Sequence, residues 1–120
     1  MHEIGIANSI LETVQTEARL HPGRVPVKVA VRIGELAAID PEALRFGFET
    51  LARESEMESL QLTIELCPPR YSCSECNCDF AATQFDSRCG KCGNERTQFL
   101  SGDQLELAYL EMEEYESSTA

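Results

Sequence analysis

Apolar residues recur every three or four positions between residues 4 and 20. This spacing places them on one face of a helix, so the pattern predicts an amphipathic helix with one buried side. The apolar positions are Ala7, Ile10, Leu11, Val14 and Ala18. His21-Pro22-Gly23 follows, and a proline beside a glycine is typical of the end of a helix.

Alternation of apolar and polar residues predicts three strands. Residues 25–33 alternate most clearly, and residues 60–66 and 104–109 repeat the pattern. The phase of the last segment slips at Leu110 and Met112, which predicts a bulge there. The Val and Ile side chains of residues 25–33 share one face, which should lie against the first helix.

A second helix is predicted between the first two strands. Asp40-Pro41-Glu42 combines an N-cap aspartate, a proline suited to the first helical position and an acid that the helix dipole favours. The apolar stripe that continues to about Arg53 consists of Leu44, Phe48, Leu51 and Ala52. Because a helix of this length can cross over between two strands, the first two strands should be parallel.

The order of elements is helix, strand, helix, strand, a cysteine-rich insert and a strand. The predicted fold class is α+β, with two helices on a three-stranded mixed sheet and an inserted four-cysteine domain of the zinc-ribbon type. We predict that residues 1–66 and 100–120 form the α+β domain and that residues 67–99 form the insertion. Residues 113–120 are acidic and small, and we expect them to fray.

Composition and charge narrow the classes of function. The chain has 120 residues, of which 21 are acidic and 10 are basic, giving a net charge of −11. This charge disfavours nucleic acid and anionic membrane surfaces, since both are bound mainly through Lys and Arg. No apolar run approaches the ~20 residues that a membrane span needs, and the N-terminus lacks the regions of a signal peptide. We therefore expect a cytoplasmic protein whose thiols stay reduced.

The insert contains two CxxC pairs, Cys73 with Cys76 and Cys89 with Cys92, separated by residues 77–88. Each pair places two sulfur atoms on one side of a tight loop, and two facing loops form a tetrahedron that suits zinc or, less often, iron. Four protein ligands leave no open position, so the metal would be structural and not catalytic. The insert has few large apolar residues, and metal binding can supply the energy to fold it. Disulfides fit a reducing compartment less well.

Two turn residues and two further cysteines also belong to this region. Asn77 and Gly93 each follow the second cysteine of a pair, and both tolerate the positive φ that such turns often require. Cys67 and Cys78 lie outside the pairs. Cys78 is too close to Cys76 to join the same tetrahedron easily, and we expect Cys67 to pack as a small apolar residue.

The first three residues, Met1-His2-Glu3, offer three neighbouring nitrogen donors. They are the terminal amine, the backbone nitrogen of His2 and its imidazole. Two adjacent chelate rings favour a planar metal, and square-planar nitrogen sites select nickel(II) or copper(II). Histidine at position 2 also hinders removal of the initiator methionine, so the amine of Met1 should stay. The residues alone do not decide whether this is a metal site, because histidine at this position usually has no function.

Several motifs together resemble the HypA/HybF family of hydrogenase maturation proteins. They are MHE at the start, Ile33-Gly34-Glu35-Leu36, Pro41-Glu42 followed by Phe48-Glu49, the CxxC-x12-CxxC array, and Gly102-Asp103 before Leu105. The resemblance covers nearly the whole chain, with the motifs in order and at the expected spacing. The chain departs from it at Asn77, where a glycine is common, and in the additional Cys67 and Cys78.

The resemblance implies a nickel metallochaperone and not an enzyme. It implies that His2 is the essential nickel ligand, with the Met1 amine and the backbone or side chain of Glu3 nearby, and that the four paired cysteines bind structural Zn(II). Ni(II) would be a transient cargo, delivered to the large subunit of [NiFe]-hydrogenase together with the GTPase HypB. Some family members also serve urease, so urease maturation proteins are further expected partners.

Other classes share the four-cysteine spacing. A zinc-ribbon module of the transcription machinery would carry a basic, aromatic face, whereas the basic residues of the insert are Arg70, Arg88, Lys91 and Arg96. A rubredoxin-like electron carrier would bind iron, and its red colour would distinguish it. An enzyme is least favoured, since His21 is the only other histidine, lies in a predicted turn, and no paired carboxylates stand out.

Overall fold

The computed structural model describes residues 2–83 and 86–114. It contains two helices, α1 (Glu3–Leu20) and α2 (Pro41–Glu54), and a short 3₁₀ helix at Glu35–Ala37. The strands are β1 (Arg24–Gly34), β2 (Gln61–Cys67), β3 (Arg70–Cys73), β4 (Cys78–Ala81), β5 (Gln98–Ser101) and β6 (Leu105–Glu114). No described helix combines the length and the apolar character that a membrane span needs.

Helix α1 forms where the apolar spacing predicted it. Its buried residues are Ala7, Ile10, Leu11 and Val14, while the fifth apolar position, Ala18, is half-buried. The helix ends at Leu20, and the His21 N–H still donates to the Ala18 carbonyl at 3.2 Å. The Pro22-Gly23 pair then redirects the chain into β1, with Gly23 at φ +88°.

Helix α2 begins with the predicted cap. The Asp40 carboxylate accepts hydrogen bonds from the N–H groups of Glu42 at 3.0 Å and Ala43 at 3.4 Å, and Pro41 occupies the first turn. Such a cap satisfies backbone donors that have no partner within the helix. Leu44 and Phe48 have no solvent exposure, and burying each stabilises the fold by roughly 1.5–3 kcal/mol.

Helices α1 and α2 pack against each other through a glycine. A Cβ atom at Gly47 of α2 would lie 3.3 Å from the Cδ1 atom of Ile4 and 3.7 Å from the Cβ atom of Ala7. The small residue therefore allows the two helices to approach closely near the start of α1. This contact fixes the position of the first turn of α1 relative to α2.

Strands β2, β1 and β6 form a mixed three-stranded sheet in that order. The Gly34 N–H donates to the Gln104 carbonyl at 2.8 Å, and Arg32 forms an ion pair with Glu106 at 3.7 Å. Gly34 of β1 is therefore paired with Gln104, and Arg32, two residues earlier in β1, is paired with Glu106, two residues later in the chain. This order shows that β1 and β6 are antiparallel. In a mixed sheet the remaining pair, β1 and β2, is then parallel, as the crossover through α2 predicts.

The predicted fold class is confirmed, and the strand bounds differ by a few residues. β1 and β2 begin or end one residue from the predicted positions, whereas β6 continues five residues further, to Glu114. Exposure along β6 alternates without interruption from Leu107 to Glu113, and the bulge at Leu110 and Met112 stays a prediction. The fraying predicted for residues 113–120 lies outside the described residues from position 115 onward.

The cysteine-rich segment contains a second sheet that the sequence pattern did not predict. Strand β3 pairs antiparallel with β4 and with β5, in the order β4-β3-β5. The Tyr71 ring on β3 lies 6.1 Å from the Phe80 ring and 5.6 Å from the Phe99 ring, measured between centroids. Because each strand has only four residues, too few for a recognisable alternation, periodicity could not reveal them.

The chain divides into two compact units. One comprises Met1–Val31, Ile39–Ile64 and Leu107–Ala120, and the other comprises Arg32–Ala38 and Glu65–Glu106. The first unit contains both helices, and the second contains the four-residue strands with the two cysteine pairs. The predicted assignment of residues 67–99 as a separate zinc-binding domain stays a prediction.

We predict that Gly34→Ala destabilises the second unit. A Cβ atom at position 34 would overlap the carbonyl group of Gly102 and lie 2.6 Å from the Asp103 nitrogen. Because backbone atoms cannot rotate away, we expect a loss of about 3 kcal/mol in the free energy of unfolding, measured by chemical denaturation. Gly90→Ala is the matched control, since a Cβ atom at position 90 would meet no atom within 4 Å. Equal stability of the two variants would contradict the prediction.

Candidate metal centres

The two CxxC loops bring four sulfur atoms together. The Sγ atoms of Cys73, Cys76, Cys89 and Cys92 all lie within 4.8 Å of one another. Cys73 is 3.7 Å from Cys92, and Cys76 is 3.9 Å from Cys89. Thiolates bound tetrahedrally to zinc at about 2.3 Å stand about 3.8 Å apart. The four sulfur atoms therefore fit a tetrahedral metal ion, and their separations are far longer than the ~2.05 Å of a disulfide.

Local backbone conformation explains how each loop presents its sulfur atoms. Asn77 and Gly93, which follow the second cysteine of each pair, have φ angles of +53° and +74°. These values confirm the sequence prediction that both positions need a left-handed conformation. The Gly93 N–H donates to the Cys89 carbonyl at 2.8 Å and closes its turn. Cys73 ends β3 opposite Cys78 of β4, so the sheet fixes the first loop.

Hydrogen bonds to the sulfur atoms favour thiolates at two of the four positions. The Asn94 side-chain amide donates to the Cys73 sulfur at 3.6 Å and lowers the pKa of that thiol. N–H groups of Cys92 and Lys91 lower the pKa of Cys89 to about 6. Donors of this kind orient and stabilise metal-bound thiolates. Sequence reasoning missed Asn94, since its only signal is its position just after the second pair.

The pKa of Cys76 shifts in the opposite direction to the pKa values of Cys73 and Cys89. Hydrogen bonding to the Cys92 sulfur, burial and the neighbouring Cys89 thiol all raise the pKa of Cys76. Like charges within 4 Å of each other oppose further ionisation. A positive ion among the four sulfur atoms would favour their ionisation, so the arrangement suits a metal site.

The two remaining cysteines lie outside the four-sulfur group. Cys67 is half-buried at the end of β2, and desolvation raises the pKa of its thiol. Cys78 is half-buried in β4, and desolvation likewise raises the pKa of its thiol. Burial therefore favours the protonated form of both thiols.

The N-terminal candidate site begins at an exposed histidine. His2 precedes α1, and its carbonyl accepts the Ile6 N–H at 3.2 Å, so the helix is continuous from Glu3. Its side chain makes no capping hydrogen bond. The first N–H groups of any helix have no acceptor within the helix. Met1, which the sequence predicts to supply the terminal amine, lies outside the described residues.

The third predicted nickel residue, Glu3, is connected to α2. Its carboxylate accepts the Asp40 N–H at 3.0 Å, and this hydrogen bond is the main cause of the lowered pKa of Glu3. Asp40, which the sequence indicated only as the N-cap of α2, therefore lies beside the first turn of α1. His21 lies at the opposite end of α1, with its Nε2 atom 3.8 Å from the Glu17 carboxylate, so the structure does not bring the two histidines together.

The fold and the four-sulfur group define a small α+β metal-binding protein, and comparison with known proteins gives its family. Residues 1–112 match the family described as "Hydrogenase/urease nickel incorporation, metallochaperone, hypA". The chain therefore belongs to the HypA family of nickel metallochaperones, which are not enzymes. The match covers both compact units, so the insert is not a ribbon of the transcription machinery or a rubredoxin.

Individual relatives agree with this assignment. The hydrogenase maturation factor HypA of Azotobacter chroococcum mcd 1 is 37% identical over 113 residues, covering 94% of this chain and 100% of the relative. That of Desulfatibacillum aliphaticivorans is 35% identical over 113 residues, covering 93% and 87%. The solution structure of the Ni metallochaperone HypA from Helicobacter pylori is similar, with a TM-score of 0.62, 27% identity and coverage of 93% and 97%.

We predict that the Glu3–Asp40 hydrogen bond is lost on acidification. A pKa lowered in the folded state contributes stability above the unfolded-state pKa, and that stability is lost as the pH falls through the folded-state value. The NMR shift of the Asp40 amide proton should therefore titrate with a midpoint below the ordinary value of 4.5. Glu3→Gln should abolish this titration, and Glu12→Gln on the same helix should not. A midpoint at or above 4.5 would refute the hydrogen bond.

Proposed function

We propose that this chain binds Ni(II) at its N-terminus and delivers it for assembly of the [NiFe]-hydrogenase metal centre. The observation that carries the proposal is the exposed His2 directly before the first turn of α1, in a chain of the HypA family. The proposed nickel donors are the Met1 amine and the backbone nitrogen and imidazole of His2, with the backbone or side chain of Glu3 nearby. The amine, amide and imidazole form two adjacent chelate rings, which favour a planar metal such as Ni(II).

The start of a helix is a suitable place for such donors. Backbone nitrogens bind a metal of this kind only after losing their protons, which elsewhere in a helix would break hydrogen bonds. The first N–H groups of α1 have no helical acceptor to lose. Nickel can therefore bind and leave while the hydrogen bond from the Ile6 N–H to the His2 carbonyl, and the rest of the helix, stays intact.

Charge at this site also supports deprotonated ligands. The N-terminal end of a helix carries roughly half a positive charge, which disfavours a cation by about 0.3–1 kcal/mol. Deprotonated backbone nitrogens would offset this repulsion by adding negative charge beside the metal. The Glu3 carboxylate adds more, and its bond to the Asp40 N–H at 3.0 Å holds it beside the first turn. We infer that the Glu3 carboxylate positions this turn beside the nickel donors.

We propose that Cys73, Cys76, Cys89 and Cys92 bind one structural Zn(II). Their sulfur separations of 3.7 and 3.9 Å support a tetrahedral ion, and four thiolates leave no coordination position for water or substrate. Bound zinc would supply a cross-link between the two loops and no reactivity. Asn94 and the Lys91 N–H would stabilise the thiolates through the hydrogen bonds they already donate.

The proposed partners follow from the family and from the accessibility of the cargo site. They are the GTPase HypB, the large subunit of [NiFe]-hydrogenase and, for a urease role, urease maturation proteins. An exposed donor set at a chain end lets a partner remove nickel without unfolding the domain. We propose a cytoplasmic location, which agrees with six free thiols among the described residues.

We predict one zinc ion per chain, with four sulfur ligands at about 2.3 Å in X-ray absorption. Cys73→Ser should lose the zinc and the order of the β4-β3-β5 sheet, while the helical circular dichroism signal persists. Cys67→Ser is the matched control, because its sulfur lies outside the group, and it should retain stoichiometric zinc. Zinc loss in both variants, or iron in the purified protein, would refute the assignment.

We predict that His2→Ala abolishes stoichiometric Ni(II) binding in isothermal titration and abolishes hydrogenase maturation. His21→Ala should do neither, because His21 lies at the far end of α1. Addition of one residue before Met1 should nearly match the loss in His2→Ala, because it separates the amine from the imidazole. Nickel binding should release protons and weaken at acid pH, since every donor must be deprotonated.

One result would contradict the nickel proposal, and one control accompanies every sample. Equal nickel affinity of the extended and native chains would show that the terminal amine is not a ligand. Loss of zinc in His2→Ala would show that the variant has lost its fold and not merely its nickel ligand, so zinc content and helix content are measured on every sample.

A further inference from the structure

Strand β6 forms an edge of the three-stranded sheet, because the strand order is β2-β1-β6. In the described part of the chain no strand pairs with its outer side. The bond from the Gly34 N–H to the Gln104 carbonyl shows that even-numbered positions face β1. Odd-numbered residues of β6 therefore direct their N–H and C=O groups outward. An open edge of ten residues is a template for an added strand.

A groove runs beside this edge, within the first compact unit. Its volume is about 810 Å³, and one wall consists of Thr13 and Glu17 of α1 with His21, which directly follows the helix. Residues 107 and 110–113 of β6 form the other. We call it the α1–β6 groove. Helix α1 leaves the strand uncovered here, since Leu107 and Tyr109 remain 39% and 44% exposed.

The two faces of β6 differ in chemistry at this groove. Glu111 and Glu113 point to one face, and Leu110 and Met112 point to the other, because side chains alternate along a strand. All four line the groove, as does Leu107 on the face of the two glutamates. An added strand that alternates basic and apolar residues would meet carboxylates on one face and apolar side chains on the other.

Charge decides between the candidate occupants. Glu17 adds a third carboxylate to the groove, against a single arginine, Arg24. β6 itself contains four glutamates and no Lys or Arg, so a second copy paired on this edge would place like charges opposite each other, which is destabilising. The C-terminal residues 115–120 carry one Glu and no Lys or Arg, so they lack the complementary charge.

We propose that the α1–β6 groove and the open edge of β6 bind an extended segment of a different protein, in which Lys or Arg alternates with apolar residues. Backbone hydrogen bonds to the odd-numbered positions of β6 give affinity, and the three carboxylates select the basic face of the segment. The contacts of this surface include neither nickel nor zinc, so this proposal is tested independently of the proposed metal sites.

The test uses the zinc-loaded full chain and synthetic peptides of about eight residues. One peptide alternates Lys with Val, and its partner alternates Glu with Val. We expect the Lys peptide to shift the amide NMR signals of residues 105–114 and of Glu17 and His21, and to slow hydrogen exchange at odd-numbered β6 amides. The Glu peptide should leave these signals unchanged.

Charge reversal sharpens the test. Glu111→Lys should weaken binding of the Lys peptide by about three- to tenfold, and Glu113→Lys should have the same effect. Each substitution replaces an exposed attraction with a repulsion. The double variant should instead bind the Glu peptide. Glu54→Lys, on the exposed end of α2, changes the net charge equally and should leave binding unchanged. Increasing the salt concentration should weaken binding of the Lys peptide.

Four results would overturn the proposal. The first is a Lys peptide that shifts signals outside β6 and α1 only, and the second is equal binding of the two peptides. The third is peptide binding that appears only after residues 115–120 are removed, which would make that segment the occupant. The fourth is a dimer in sedimentation analysis that dissociates on addition of the Lys peptide, which would make a second copy the occupant.

Discussion

Mutual repulsion of four sulfur atoms is the constraint on which the second compact unit depends. Cys73, Cys76, Cys89 and Cys92 share a space in which all lie within 4.8 Å of one another, although ionisation of one opposes ionisation of the next. Among the described residues of this unit, one tyrosine ring contacts two phenylalanine rings across strands of four residues, and Ile33 and Pro69 are fully buried. So small a core holds the strands only weakly, and the proposed cation would relieve the repulsion and join the two loops.

The first compact unit fixes the first turn of α1 while leaving the start of the helix accessible. Its core lies between the helices and the sheet, where Phe48, Leu44 and Val29 are fully buried. Close packing at Gly47 and the hydrogen bond between Glu3 and Asp40 extend that order to the first turn of α1. His2, which directly precedes this turn, is exposed. A rigid helix start beside the proposed donor set would suit a transferable cargo.

Most of the fold could be predicted from the sequence because its long elements have strong signals. The stripe of α1, the Asp40-Pro41 start of α2 and the alternation of β1 each reflect one dominant local force. The β4-β3-β5 sheet escaped prediction because its strands are too short to show a period. In the candidate metal site, the two left-handed positions were foreseen from residue type at Asn77 and Gly93. Asn94 and the contact of Glu3 with Asp40 were not, since both depend on tertiary proximity that spacing does not encode.

The two cysteine loops are near copies, each closed by a residue of positive φ after its second cysteine. A metal bound between them would close the connecting segment, and this closure costs conformational entropy when the site forms. For a loop of about 15 residues that entropy is worth about 3 kcal/mol. Doubling the length of the segment would change the value by only about 0.6 kcal/mol. The connection between Cys76 and Cys89 is therefore free to vary in length during evolution, while the spacing inside each loop is not.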